Sequence, residues 1–185
     1  MTPTTLTGYL KELNLPTMRA CYSDVAKQAT QEAQSYEQFL LELARLECES
    51  RQQKRIERLL HESRLPLEKS LEAFDLTRLP AKVRQQVSAL RDGAFVERQE
   101  NVLAFGKPHL LCALSQEFIR QRRRVLYATC ALLVQELLSA KRDLRLPQML
   151  KRLARYDVLL IDDLGYVRQD REEMEVLFTL LAERY

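Results

Sequence analysis

Four consecutive apolar residues at 158–161 end at two adjacent carboxylates, Asp162 and Asp163, and this run constrains the fold more than any other. A strand without polar positions has no face left for solvent, so it belongs in a parallel sheet covered by helices on both sides. A second candidate strand, residues 124–129, precedes it, and the residues between the two have a helical pattern. The sequence therefore predicts an α/β fold with its acidic strand end at the sheet edge where such folds bind ligands.

The first half of the chain has helical periodicity throughout. Pro16 suits the first position of a helix, and Ser35 with Gln38 forms a capping box that opens a long helix to about Arg64. Asp92 and Gly93 then read as a helix stop. We therefore predict an all-helical domain over residues 1–92 and an α/β domain over residues 93–185.

The second half alternates short apolar runs with amphipathic segments. We predict strands at 101–105, 124–129 and 157–161 and helices at 108–121, 131–141, 147–156 and 171–185. In the last helix we expect four apolar side chains to face inward: Met174, Leu177, Phe178 and Leu181.

The two carboxylates after residue 161 have the pattern of a Walker B motif. The first, Asp162, can hold Mg²⁺ through its water ligands, and the second, Asp163, can orient a water that attacks a γ-phosphate. Apolar strands that end in aspartate are common, however. The alternative interpretation is a turn that continues through Leu164 and Gly165.

A Walker A loop requires G-x-x-x-x-G-K-[ST], whose backbone N–H groups surround the phosphates. Only Gly106 and Lys107 match this pattern, because the first glycine position is Asn101 and the hydroxyl position is Pro108. Proline supplies neither an O–H nor an N–H group. Taken alone, the segment favours a tight strand-to-helix turn with Pro108 at the first helical position.

Two basic clusters are candidate nucleic-acid contacts. Arginine and lysine recur at three- and four-residue spacing along the long helix, which places them on one face, and three consecutive arginines precede the second strand. Such clusters bind phosphate backbones without reading bases. The alternative is an ordinary solvated surface, since glutamates are interleaved. The candidate DNA-binding residues are Arg51, Lys54, Arg55, Arg58, Arg122, Arg123 and Arg124.

Composition excludes several other classes. Twenty-nine basic and 26 acidic side chains leave a net charge of +3, which excludes a histone-like polycation. Four dispersed cysteines and two histidines offer no structural zinc cluster, so we expect reduced thiols in a cytoplasmic protein. No signal peptide and no apolar run of membrane-spanning length is present, so we expect no membrane association.

The whole chain resembles the IstB-like transposition helper ATPases of insertion sequences, which are AAA+ relatives of the DnaC helicase loaders. The segments that carry the resemblance are LNLPTM at 13–18, LEAFD at 71–75, ERQENVLAFG at 97–106, HLLCAL at 109–114 and LKRLARYDVLLIDDLGYV at 150–167. The resemblance implies a helical domain before a P-loop ATPase domain. It also implies that ATP with Mg²⁺, double-stranded DNA, other copies of the chain and a transposase of the same element are bound.

The resemblance further implies roles for individual residues, with Gly106 and Lys107 at phosphate, Asp162 at Mg²⁺ and Asp163 as the water-orienting acid. Relative to the family, most of the Walker A loop is missing, and later strands, a sensor residue and an arginine finger lie beyond residue 185. One of those later strands lies between the Walker A and Walker B strands. We therefore expect a partial sheet, in which the first and third predicted strands pair directly or an edge stays open.

Three functions remain open on the sequence. The first is an IstB-like helper that binds DNA and has ATP binding as its ancestral activity. The second is a DnaC-like helicase-loading ATPase, and the LGY at 164–166 favours the helper over it. The third is a non-catalytic remnant that binds DNA or intact subunits, which the Gly106–Pro108 sequence favours.

Overall fold

A computed structural model describes residues 3–71, 73–106, 108–166 and 170–184. The chain divides into two compact units, of which the first ends at Glu57 and the second begins at Arg58. This division falls inside one continuous helix. The domain boundary proposed between residues 92 and 93 therefore stays a prediction.

The first unit is helical, as expected. It contains α1 (Pro3–Glu12), α2 (Pro16–Gln31) and most of α3 (Tyr36–Ser63). Pro16 is the first residue of α2. The capping box at the start of α3 is confirmed, because the Ser35 N–H donates to Gln38 Oε1 across 2.9 Å and the Gln38 N–H donates to Ser35 Oγ across 3.2 Å.

The second unit combines helices with a small sheet. Gly93, in the left-handed region at φ 73°, lies between a helix that ends at Arg91 and one that begins at Ala94, as expected of a helix stop. The elements of this unit after α3 are α4 (Ala81–Arg91), α5 (Ala94–Glu97), α6 (Pro108–Arg120), β1 (Val125–Thr129), α7 (Cys130–Arg142), α8 (Leu146–Leu153), β2 (Val158–Asp162) and α9 (Arg171–Arg184).

The two strands pair in parallel, from Val125 opposite Val158 to Thr129 opposite Asp162. On one face, Leu126 and its neighbours pack against a buried cluster supplied by α7, α8 and α9. Helix α6 contacts both strands as well and contributes its own buried residues. The partial α/β fold with helices around a parallel sheet is therefore confirmed.

The strand predicted at 101–105 is wrong. Residues 101–106 are all exposed, and the Leu103 and Phe105 side chains are 76% and 89% exposed. A strand is stable only when its backbone N–H and C=O groups find a partner strand. Among the described residues the sheet has two strands, β1 and β2, so the open-edge arrangement is the one observed.

The inward face predicted for α9 is only partly correct. Val176, Leu177 and Leu180 are buried, whereas the Met174, Phe178 and Leu181 side chains are 46%, 72% and 46% exposed. Apolar residues lie on both sides of this helix, so periodicity alone did not select the face that packs against α7.

The four cysteines are free thiols, as expected. Cys112 and Cys130 are buried, Cys21 is half-buried and Cys48 is exposed. Across the described ranges, no helix combines the length and the apolar character needed to cross a bilayer.

Candidate functional site

The Walker B aspartate, Asp162, lies at the end of β2 and is held from two sides. The Tyr127 hydroxyl on β1 donates to Asp162 Oδ2 across 3.0 Å, and the Asp163 N–H donates to Oδ1 across 2.9 Å. Tyr127 pairs with Leu160, two residues before Asp162, so the two side chains share one face of the sheet. The strand register therefore creates this contact.

An ionised carboxylate offers about four lone-pair positions, and the two hydrogen bonds occupy one on each oxygen. The remaining positions can accept protons from the water ligands of a divalent cation. Burial, followed by the hydrogen bond to Asp162, raises the pKa of Tyr127 to about 12. The phenol therefore keeps its proton at neutral pH and remains a donor.

Helix α6 covers the face of the sheet on which Asp162 lies. Burial raises the pKa of the Cys112 thiol on this helix, and the nearby negative charge of Asp162 acts in the same direction. Thr129, which lies directly opposite Asp162 in the strand register, ends β1 at the same edge. Asp163 is exposed, with its backbone in the left-handed region at φ 57°.

Sequence reasoning missed Tyr127 and Thr129. They are two residues apart on β1, so the alternation of a strand places them on the same face. Which residues of β2 lie beside them depends on the pairing register of the two strands. That pairing joins residues more than 30 positions apart, and the sequence pattern does not specify it.

The phosphate side of the predicted site is open. Gly106 has a left-handed φ of 65°, and no atom outside its chain neighbours lies within 4 Å of where a Cβ would stand. Pro108 is the first residue of α6, as the simple-turn interpretation predicts. Lys107 lies outside the described residues. The described part of this segment forms no enclosed cradle of the kind that holds a triphosphate.

The metal side fits a cation only in a limited way. Across the described ranges, no three His, Cys, Asp or Glu side chains lie close enough to hold a metal ion by themselves. Mg²⁺ that accompanies a nucleotide uses one or two carboxylates and keeps several waters. Asp162, with its free lone pairs, fits that requirement.

Among the predicted DNA-binding residues, Arg51 takes part in the structure of the first unit. Its Nε donates to Glu47 Oε1 across 2.9 Å, and its Nη2 donates to the Asn14 carbonyl. Burial by itself raises the pKa of Glu47, but hydrogen bonds from the Met18 N–H, Arg51 and the Thr17 N–H outweigh it, so the pKa is lowered. Arg51 thus balances a buried carboxylate.

The other candidates on α3 differ from Arg51. Lys54 and Arg55 are exposed, and neither forms an ion pair with a described residue. Arg58 lies 3.8 Å from Glu62, and both side chains are largely exposed. An exposed pair at this distance contributes little, so these cations are accessible to an anionic partner.

The three consecutive arginines do not form one open cluster. The Arg123 side chain is only 17% exposed and pairs with Glu97 across 3.1 Å. The Arg124 guanidinium lies over the Tyr156 ring, 5.1 Å from its centroid. Arg122 occupies the left-handed region after α6, at φ 69°. The Arg123 and Arg124 side chains are therefore engaged within the fold.

Comparison with known proteins identifies the family. Residues 8–185 match the family of IstB-like ATP binding proteins. The chain belongs to this family. The IstB-like chain is 37% identical over 182 residues to an insertion-sequence ATP-binding protein of Sinorhizobium fredii (strain NBRC 101917 / NGR234), covering 95% of the chain and 61% of that relative.

Two further relatives have similar names. The IstB-like chain is 35% identical to the insertion sequence IS21 ATP-binding protein of Pseudomonas aeruginosa, over 95% of the chain and 68% of that protein. It is 31% identical to the insertion sequence IS5376 ATP-binding protein of Geobacillus stearothermophilus, over 96% of the chain and 72% of that protein. The chain thus spans roughly two thirds of the length of these relatives.

Proposed function

We propose that this IstB-like chain is a cytoplasmic, DNA-binding helper of insertion-sequence transposition that turns over no ATP by itself. In this role it binds double-stranded DNA, associates with other copies and assists the transposase of the same element. The proposal of DNA binding depends on one observation, the pair of exposed cations Lys54 and Arg55 on α3. The insertion-sequence names of the relatives support the transposition half.

The cations of α3 suit a phosphate backbone for a physical reason. Arg51 neutralises the buried Glu47, so the charges of Lys54 and Arg55 are not needed for that carboxylate. When DNA binds, exposed lysine and arginine side chains contact its phosphates, and the counterions condensed on the DNA are released. This mode of binding reads no bases, so the proposal is for sequence-independent affinity.

The predicted nucleotide site consists of Asp162 at the end of β2 and the segment before α6. It fits a cation better than it fits phosphate. Asp162 is held with lone pairs free for a hydrated Mg²⁺, which when bound neutralises phosphate charge. The segment before α6 lacks the glycine and the hydroxyl of a Walker A loop, and Gly106 stands open to solvent. ATP binding is expected of the family, but the described residues do not fit the triphosphate.

The experiment is a fluorescence-anisotropy titration of a labelled duplex of arbitrary sequence at several salt concentrations. We expect Lys54→Glu combined with Arg55→Glu to weaken DNA binding by about tenfold or more, because two phosphate contacts become repulsive. The slope of log Kd against log salt concentration should fall by about one for each lost contact.

The matched control is Arg19→Glu combined with Lys27→Glu on α2. It exchanges the same two residue types in the same unit and gives the same net charge. This control should change the Kd by less than about threefold, since long-range charge alone is largely screened. Equal weakening in both variants, or no DNA binding by the wild type, would contradict the proposed role of α3.

A further inference from the structure

We propose that the exposed face of α8 is a second contact surface for the phosphate backbone of double-stranded DNA. This inference rests on the proposed DNA binding and adds a surface in the second unit to the one on α3. The residues concerned are Lys151, Arg152 and Arg155, and all three are exposed. Lysine and arginine contact phosphate oxygens without reading bases, so this surface adds affinity rather than sequence preference.

The packing of α8 determines which of its side chains face outward. With 3.6 residues per turn, Lys151 and Arg152 lie on the side opposite to its apolar residues. The Ala154 N–H still donates to the Leu150 carbonyl across 2.8 Å, so the chain keeps a helical course and Arg155 follows Lys151 by about one turn. The apolar side of α8 packs into the buried cluster beneath the sheet through Leu146, Met149, Leu150 and Leu153.

Carboxylates do little to neutralise this face. Across the described ranges, Lys151 and Arg155 form no ion pair. Arg152 Nη2 lies 3.7 Å from Glu136 Oε2, and Arg64 lies 3.3 Å from the other oxygen of the same carboxylate. One carboxylate therefore serves two arginines, and the face keeps a net positive charge. Like charges one helical turn apart repel each other, so an anion that binds here relieves a repulsion present in the free chain.

The fold does not need these cations to stabilise the end of α8. Basic side chains often lie in the last turn of a helix, where they bind carbonyl groups that have no partner within the helix. In this unit Arg184 of α9 supplies that contact. Its Nη1 donates to the Leu153 carbonyl across 2.9 Å, and its Nη2 donates to the Tyr156 carbonyl across 3.1 Å. The charges of Lys151 and Arg155 therefore remain available to an external partner.

The chemistry of the face suits a phosphate backbone better than a protein surface. The exposed neighbours of the cations are Pro147, Gln148 and Ala154, which supply no large apolar side chain. The centre of a protein–protein interface is depleted of charged residues and enriched in aromatic ones. A surface that contacts DNA is polar and strongly positive, and glutamine can also donate to phosphate oxygens.

The test is a fluorescence-anisotropy titration of a labelled duplex of arbitrary sequence at several salt concentrations. The variant is Lys151→Gln combined with Arg155→Gln, which removes two charges and keeps residues that favour a helix. We expect binding to weaken by about fivefold or more and the slope of log Kd against log salt concentration to fall by about two, because two phosphate contacts are lost. Each single substitution should lower the slope by about one. Circular dichroism checks that every variant is folded.

The matched control is Lys82→Gln combined with Arg84→Gln on α4. Both residues are exposed cations of the second unit, but they are two positions apart on their helix and therefore point to different sides. The control removes the same two charges without removing a basic face. Its Kd should differ from that of the wild type by less than about twofold, since long-range charge is largely screened.

The outcomes separate this inference from the proposed function. Unchanged Kd and salt slope in the α8 variant, or an equal change in the control, would overturn the inference. If Lys54→Glu with Arg55→Glu weakens DNA binding and the α8 variant does not, the inference fails and the proposed function stands. If only the α8 variant weakens binding, the inference stands and the proposed role of α3 is wrong. Absence of DNA binding by the wild type contradicts both.

Discussion

The carboxylate of Glu47 on α3 accepts the backbone N–H of Thr17 on α2 across 2.8 Å. The same oxygen accepts the Met18 N–H across 3.0 Å. Leu15, at the N-cap position of α2, makes no side-chain capping bond. Glu47 therefore caps a helix that has no capping residue of its own, and it connects two helices of the first unit.

The first prediction concerns the stability that this cap supplies. The Glu47 side chain is only 3% exposed, so Glu47→Ala leaves the Thr17 N–H, the Met18 N–H and the Arg51 Nε without that acceptor. We expect the free energy of unfolding to fall by about 1–3 kcal/mol, the cost of leaving these partly buried donors without a partner. Urea unfolding followed by circular dichroism measures it. Glu12→Ala, at an exposed position of α1, should change it by less than about 0.5 kcal/mol.

The second prediction is a pH dependence of the same cap. The folded-state pKa of Glu47 lies below its ordinary value of 4.5, so the folded state favours the ionised form. Its contribution to stability is complete above that value and is lost as the pH falls through the lowered pKa. The difference in unfolding free energy between the wild type and Glu47→Gln should therefore be constant near neutral pH and shrink below about pH 4.5. If the difference in unfolding free energy stays constant at lower pH, the ionised Glu47 carboxylate is not what stabilises the start of α2.

Local signals in the sequence predicted local structure well. The Ser35–Gln38 capping box, Pro16 and the apolar run before Asp162 each depend on residues a few positions apart, and each is confirmed. The segment 101–105 has the same apolar character as a strand, but a strand depends on a partner that its own residues cannot specify. Periodicity therefore gave the wrong structure there.

The candidate site residues also differ in whether neighbouring or distant residues in the sequence define them. Asp162 was predicted from its own neighbours in sequence, and the structure adds Tyr127 through a strand pairing that no short pattern encodes. In the same way, Arg51 and Lys54 appear equivalent on a helical wheel. Only the buried Glu47, which pairs with Arg51, distinguishes them.

The third prediction tests the core beneath the acidic strand end. Leu137 on α7 is fully buried in the cluster that packs under the sheet, whereas Leu132 on the same helix is 60% exposed. Leu137→Ala should lower the unfolding free energy by about 2–5 kcal/mol, because it removes buried methyl groups and leaves a cavity. Leu132→Ala should cost less than about 0.5 kcal/mol. Equal costs in urea unfolding would mean that α7 packs differently.

The fourth prediction separates Arg123 from the DNA-binding candidates on α3. Its guanidinium pairs with Glu97, and a Cβ at Gly93 would lie 3.0 Å from its Nη2, so the side chain is closely packed. Arg123→Ala should lower the unfolding free energy by about 1 kcal/mol through lost packing and pairing. The Kd for DNA should change by less than about twofold, whereas Lys54→Ala should weaken binding. If anisotropy shows that Arg123→Ala weakens DNA binding more than Lys54→Ala does, the DNA contact lies in the second unit.

The last prediction concerns ATP. We expect calorimetric titration of the folded chain with ATP and Mg²⁺ to show no saturation up to about 1 mM, a weak limit on the affinity scale. Triphosphate binding depends on several backbone N–H groups converging on the phosphates, and the open Gly106 segment offers no such arrangement among its described residues.

Lys107→Ala and Asp162→Ala are the informative controls for this titration. If the wild type does bind ATP and Lys107→Ala abolishes it, the shortened segment before α6 still holds phosphate and the non-catalytic proposal is wrong. If binding depends on Asp162 but not on Lys107, the cation at the end of β2 supplies the attraction, because Mg²⁺ bridges a carboxylate and phosphate oxygens. If neither the wild type nor either variant binds ATP, the non-catalytic proposal stands. DNA binding through α3 is then the activity that remains to be tested.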